Sequence, residues 1–179
     1  LSMAIEHGCT INIDSVEEIA DIQAIAAEKG KRVPVLVRVT PGVEAHTHKY
    51  IQTGIEDCKF GLGIDNGMAM EAIRTILSCS NLDFCGIHGH IGSQILEDEP
   101  YRPTGRNLAA FAMEVESKLG VQVKEINLGG GFGIMYTEED TPLPIVEYMK
   151  EAKAGLEEVY SAAGKPLPVI GIEPGRRIV

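Results

Sequence analysis

Val121-Gln122-Val123-Lys124-Glu125-Ile126-Asn127-Leu128 runs without a break into Gly129-Gly130-Gly131-Phe132-Gly133, and apolar residues at helical spacing resume from Leu143. A short β-type run, a glycine turn and then a helix form the repeating unit of a parallel sheet covered by helices. Downstream, Ile145, Met149, Ala152, Leu156 and Val159 mark a helix over residues 143–163, ended by Gly164 and Pro166. Leu167 to Ile172 is the next strand, and Glu173-Pro174-Gly175-Arg176 follows it.

Upstream the same alternation holds. Thr10 to Asp14 is a short strand. Ser15 precedes an apolar stripe at Val16, Ile19, Ile22 and Ile25, with Glu18 placed for a capping box. Val33 to Val39 is β-branched and apolar almost throughout, as expected of a strand buried on both faces, with Pro34 near its start. Thr40 to Phe60 is a long irregular stretch, a length that usually carries function. A helix is predicted over 67–78, with Ala69, Ile73, Ile76 and Leu77 inward. Leu82 to Ile91 follows as a strand, and 104–119 as a helix with Leu108, Phe111 and Val115 on one face. Five strands separated by four helix-bearing connections imply an α/β fold, either doubly wound or a (β/α)8 barrel.

At 179 residues and 44% hydrophobic, the chain can bury a sizeable core. With 26 acidic against 16 basic residues and a net charge of −10, it is a poor partner for nucleic acid or an anionic membrane. No apolar run reaches the roughly 18 residues of a membrane span. Cys9, Cys58, Cys79 and Cys85 are scattered without a C-x-x-C pair and read as reduced cytoplasmic thiols. A full barrel needs roughly 250 residues, and both ends of this chain read as cuts through a larger one.

Polar and glycine residues gather after the strands, where parallel α/β folds build their sites. They include Arg38, Thr40, His88, His90, the glycine run and Glu173 to Arg176. Without Cβ atoms, Gly129 to Gly131 let backbone N–H groups approach an anion, and the nest favours phosphate; the alternative is a turn demanded by close packing. The run fits neither the dinucleotide fingerprint nor a P-loop. His90 is flanked by Gly89 and Gly92, so something flat can reach it, and Ser93 offers a hydroxyl at the same mouth. His88 shares the face of His90 if the strand stays regular. His-x-His metal pairs at His88/His90 and at His46/His48 are rival readings, although no carboxylate or cysteine lies at ligand spacing nearby. Glu173 ends an apolar strand and requires a cation or proton donor; Arg176 is the simplest structural partner.

Ile13-Asp14-Ser15, Arg38-Val39-Thr40-Pro41-Gly42-Val43, Lys59-Phe60-Gly61, His90-Ile91-Gly92-Ser93-Gln94, Leu128-Gly129-Gly130-Gly131 and Glu173-Pro174-Gly175-Arg176 occur in that order. Together they resemble the barrel-type pyridoxal-phosphate decarboxylases, which include the ornithine and diaminopimelate decarboxylases. Gly42-Val43-Glu44-Ala45-His46-Thr47-His48 and Gln94 point more narrowly to the diaminopimelate decarboxylase branch. The resemblance implies a portion of a (β/α)8 TIM-type barrel, approximately strands 4 to 8, with residues 1–179 forming a fragment of the cofactor-binding barrel domain. It implies pyridoxal 5'-phosphate as cofactor and decarboxylation of meso-2,6-diaminopimelate to L-lysine and CO2. Sister activities on arginine, ornithine, lysine or carboxynorspermidine, and a non-catalytic pyridoxal-phosphate-binding barrel, stay open beside it.

By the same resemblance His90 stacks on the cofactor ring. Ser93, Gly130 and Gly131 hold its phosphate, with Pro174, Gly175 and Arg176 beside them. Glu173 pairs with the pyridine nitrogen, so that the ring can accept the electron pair left by CO2. His90 and Glu173 are then the catalytic pair, and Arg176 faces the substrate. No metal is implied, and the full-length protein is expected to be a cytoplasmic homodimer. The family tethers its cofactor to a lysine in a Tyr-Ala-x-Lys context, and its catalytic cysteine sits in a C-terminal β-domain. Neither motif occurs here, so the fragment alone is expected to be inactive.

Overall fold

The computed structural model describes residues 1–42 and 60–179. The expected motif from Val43 to His48, with the His46/His48 pair, Cys58 and Lys59, lies outside them. The elements are α1 (Ser2–Glu6), β1 (Ile11–Ile13), α2 (Glu17–Glu28), β2 (Val33–Thr40), β3 (Leu62–Gly63) and α3 (Met68–Ser78). They continue with β4 (Leu82–Gly89), α4 (Tyr101–Leu119), β5 (Glu125–Asn127), α5 (Ile145–Ala162), β6 (Val169–Gly171) and a 3₁₀ turn at Gly175–Arg177. Among the described residues, no helix is long and apolar enough to cross a membrane.

All strands pair in parallel, in the order β1-β2-β4-β5-β6. The short β3 pairs β2 at Val39 and Thr40. Among the described residues the order never reverses, so these strands contain no switch point of the doubly wound kind. Sequential strands with intervening helices are the winding of a barrel. The structure thus decides between the two topologies left open above, for the partial barrel.

The register explains which side chains go where. Ile13, Val37, Ile87, Ile126 and Ile170 lie in one row across the sheet. All belong to, or pack against, the single apolar cluster shared with the helices. One residue further along, Arg38, His88, Asn127 and Gly171 form a second row on the opposite face. A register shift between Val35 and Leu36 inserts Cys85 as an extra residue in β4. That bulge restores the alternation, so that Phe84 and Ile87 both reach the helix side. Gly86 is pressed into the bulge; a Cβ there would lie 1.9 Å from the Glu125 carbonyl oxygen.

Helices α4 and α5 cross through paired glycines. A Cβ on Gly105 would lie 2.3 Å from the Ala152 carbonyl oxygen, and one on Gly155 2.1 Å from that of Arg102. Small residues here let two backbones touch, which fixes the loops that both helices carry toward the sheet's C-terminal edge.

Several sequence expectations need correction. The Glu18 carboxylate accepts the N–H groups of Asp14 (2.8 Å) and Ser15 (3.2 Å), but Val16 is the N-cap and no side chain caps the helix. Val16 and Leu77, expected inward, are exposed, because each sits at a helix end where the apolar stripe turns off the core. Tyr148 and Tyr160, not expected in the core, are buried there. The strands assigned to 121–128 and 167–172 shorten to Glu125–Asn127 and Val169–Gly171.

Candidate functional site

The residues expected to meet the cofactor and substrate converge on one cavity. It measures about 270 Å³ and is lined by His90, Ser93, Gly130, Gly131, Glu173, Pro174, Gly175 and Arg176, together with Phe132. Arg38, Thr40 and His88, also named at the strand ends, do not line it, and Thr40 lines another. A larger groove, about 510 Å³, lies at the other end of the sheet beside Glu116, Tyr160 and Lys165. That end precedes the strands, where barrel folds carry stability rather than chemistry.

The loop after β5 is clamped between two neighbours, which is why it is built of glycine. Gly129 (φ 67°) is held by the Asn127 side chain, whose Oδ1 accepts the Gly129 N–H at 2.8 Å. A Cβ on Gly130 would lie 2.2 Å from the Glu173 carbonyl oxygen, and one on Gly131 (φ 89°) 2.0 Å from that of Gly92. The close packing offered above as the alternative reading of the run is therefore present, made by the protein's own backbone. Glu173 donates its N–H to Gly129 O at 2.8 Å, and Ile95 donates to Gly131 O at 2.9 Å. Among the described residues, no acceptor takes the N–H of Gly130 or Gly131.

Gln94 locks the arrangement. Among the described residues it is the one non-glycine with positive φ, at 58°, and its amide spans both backbone groups of Ile134: Nε2 donates to the carbonyl at 2.5 Å and Oε1 accepts the N–H at 3.2 Å. Beneath the loop, Phe132 stacks on Tyr101 at 5.5 Å and meets Tyr148 at 5.5 Å. The Tyr148 hydroxyl donates to the carbonyl oxygens of Ile95 and Leu96, both 3.1 Å away. Gln94 was singled out in the sequence as a motif residue without this role, and the aromatic support of Tyr101, Phe132 and Tyr148 was missed. The only signal was Tyr148 at helical spacing from Ala152 and Leu156.

The charged groups sort differently from expectation. Among the described residues Glu173 does not pair with Arg176; its carboxylate Oε1 faces His88 Nε2 at 3.6 Å. The exposed Arg176 stands at the mouth, because the 3₁₀ turn carries its side chain away from the strand end. Arg177, which was not predicted, holds Leu143 O at 2.5 Å. Arg38 is bound to Asp14 at 2.8 Å and lies over the Phe60 ring. His90 is half-buried, past the end of β4, whereas His88 is buried within it. Burial pushes the His90 imidazole below its ordinary value, with Arg38 acting the same way and Glu173 opposing. No group of three or more His, Cys, Asp or Glu side chains gathers at metal-ligand spacing among the described residues.

An anion fits the unclaimed amides beside Ser93, a flat ring fits against His90, and a protonated ring nitrogen fits the carboxylate of Glu173. The chain is 43% identical to diaminopimelate decarboxylase from Bacillus methanolicus, over all of the chain and 42% of the relative. It is 42% identical to that of Bacillus subtilis (strain 168), over all of the chain and 41% of the relative. The chain therefore spans about two fifths of the length of the curated relatives it matches. Among solved structures, diaminopimelate decarboxylase from Helicobacter pylori complexed with L-lysine superposes with a TM-score of 0.85 at 29% identity, covering 99% of this chain and 43% of that one. The M. jannaschii enzyme in complex with L-lysine gives 0.83 at 33%, covering 99% and 41%. The family model described as "Pyridoxal-dependent decarboxylase, pyridoxal binding domain" matches residues 1–179, and this chain belongs to that family.

Proposed function

We propose that the polypeptide carrying this chain decarboxylates meso-2,6-diaminopimelate to L-lysine and CO2, a step of lysine biosynthesis. The observation that carries the proposal is the single cavity in which His90, Ser93, the glycine loop and Glu173 meet. Bound pyridoxal phosphate supplies an electron sink for the bond that loses CO2. The chain's own groups do the rest. Ser93 and the amides of Gly130 and Gly131 hold the phosphate, with Gly175 and Arg176 beside them. His90 covers one face of the ring and excludes water from it. Glu173 sits at the ring nitrogen and favours its protonated form, because a nearby carboxylate stabilises a cation. Arg176, exposed at the mouth, offers a planar fork to a substrate carboxylate.

Two features favour diaminopimelate over a sister substrate. The relatives at 42–43% identity are diaminopimelate decarboxylases. L-lysine, held by the H. pylori and M. jannaschii enzymes, is what diaminopimelate leaves on losing CO2. Residues 1–179 then act as part of the cofactor-binding barrel domain, and the tethering lysine, the catalytic cysteine and the remaining distal contacts come from elsewhere in a cytoplasmic homodimer. The free thiols of Cys9, Cys79 and Cys85 suit that compartment. The assay is CO2 release from parallel substrates by the full-length protein. Meso-diaminopimelate is expected to exceed lysine and ornithine by about a thousandfold in kcat/KM, roughly 4 kcal/mol of discrimination. Comparable release from ornithine or arginine moves the substrate to a sister decarboxylase.

A further inference from the structure

The roles assigned above leave one buried polar side chain without a task. His88 is 4% exposed, and neither ring nitrogen has a hydrogen-bond partner among the described residues. Leaving a buried polar group unsatisfied costs about 1–3 kcal/mol, so an imidazole here is a poor core filler. The strand register flanks it with Arg38 on β2 and Asn127 on β5. Both are engaged elsewhere: Arg38 with Asp14 at 2.8 Å, and Asn127 Oδ1 with the Gly129 N–H at 2.8 Å. Facing the ring is the Glu173 carboxylate, with Oε1 3.6 Å from Nε2. That gap is about 0.4 Å beyond the roughly 3.2 Å limit of an ordinary N–H···O hydrogen bond, and the Glu173 side chain is 56% exposed and so has room to close it.

We infer that His88 is a positioning residue, whose Nε2–H donates to Glu173 and aims the carboxylate at the cofactor's ring nitrogen. The inference rests on the cavity being the pyridoxal phosphate site. Its chemistry favours histidine over the commoner partners of a carboxylate. Burial pushes the His88 imidazole down to about 4, against the pull of Glu173 and with Arg38 and His90 adding to the drop. The ring is thus neutral at physiological pH and orients the carboxylate by a dipole. A lysine or arginine in its place would compete with the ring nitrogen for the same negative charge.

The test uses the full-length protein, with His88→Leu removing the donor and His88→Asn keeping an N–H. In the cofactor-free protein, ¹⁵N spectra should show a neutral His88 ring protonated at Nε2, with a signal that moves in Glu173→Gln. In the holoenzyme, His88→Leu should lower kcat by about tenfold or more with KM changed less than about threefold, and should shift the pH at which the bound-cofactor absorbance changes. His88→Asn should recover most of both. Adding Glu173→Gln to His88→Leu should cost little more than Glu173→Gln alone, since one acts through the other. A His88 signal indifferent to Glu173→Gln, losses that add in the double variant, or an unchanged kcat and absorbance profile in His88→Leu would each overturn the inference. If His88→Leu fails to fold, the spectra and His88→Asn still decide it. A wild-type protein that takes up no pyridoxal phosphate refutes the cofactor site instead, and the ¹⁵N result, read without cofactor, tests the His88–Glu173 contact independently of it.

Discussion

Gly130→Ala adds one methyl group where the glycine loop of the proposed site meets the backbone of Glu173. The new Cβ would stand 2.2 Å from the Glu173 carbonyl oxygen, far inside the 3.4 Å at which ordinary contact begins. The obstacle is backbone, so no side chain can swing aside. The two segments are also pinned to each other, because Glu173 N–H donates to Gly129 O at 2.8 Å. Opening the gap costs about 1 kcal/mol for that hydrogen bond and about 1–3 kcal/mol for overpacking, in all roughly 2–4 kcal/mol. Gly130 does not have a positive φ, so the whole cost is one of space. Gly164→Ala is the matched control: φ is 66° and nothing lies within 4 Å of its Cβ, so only strain remains, about 1 kcal/mol. The same displacement moves Glu173 and the Gly131 amide, and pyridoxal phosphate should bind about tenfold or more weakly. Urea unfolding midpoints and cofactor titrations of the full-length variants read both effects. A Gly130→Ala protein with the midpoint of Gly164→Ala and wild-type cofactor affinity would refute the close approach and its role in the site.

Two further outcomes follow from the histidines. Covering the ring needs a flat surface rather than a proton, so His90→Phe should retain more cofactor affinity than His90→Ala; equal losses in a titration would count against stacking. His88 and His90 are both held below their ordinary value of 6.5, His88 at about 4. Above 6.5 each is neutral in folded and unfolded chains alike, whereas below it the unfolded chain takes the proton first. The unfolding midpoint should therefore fall as pH drops from about 6.5 toward about 4, and the fall should be shallower in His88→Asn. An identical pH slope in that variant would mean that His88 titrates normally.

Much of this architecture was legible because local spacing carries it. The stripes Ile19-Ile22 and Leu108-Phe111-Val115 mark their helices, and Val33 to Val39 reads as a strand buried on both sides. The site residues were legible for a related reason. They cluster just after strands, and a barrel brings strand ends together whatever the register. What the sequence hid depends on register. Cys85 shifts the parity of β4, and only after that shift does His88 join Arg38 and Asn127 in one row. Alternation counted along the chain pairs His88 with His90, whereas the strand ends at Gly89, with His88 buried inside it and His90 half-buried past its end. Arg176 was offered as the structural partner of Glu173 by proximity in sequence, but the carboxylate turns to His88, a neighbour in space that the chain order does not show.

Gln94 shows the same limit from the side of energy. A left-handed backbone at a residue with a Cβ costs about 1–2 kcal/mol, and nothing in a polar Gln after a serine announces it. The strain is offset by what it positions. With φ at 58° the side chain lies across the next loop and satisfies both backbone groups of Ile134, each bond contributing about 1 kcal/mol. Glycine in its place would relax the backbone but lose the amide, and asparagine would keep the amide on a stem one carbon too short. The residue is therefore set by two demands at once, a turn and a reach, and the second exists only because Gly131, Phe132 and Ile134 come back to it from another strand. In the proposed site the glycine loop is held by backbone contacts to Glu173, Gly92 and Ile95, and such a clamp matters as much as a ligand: the amides of Gly130 and Gly131 can serve an anion only while the loop that carries them stays still.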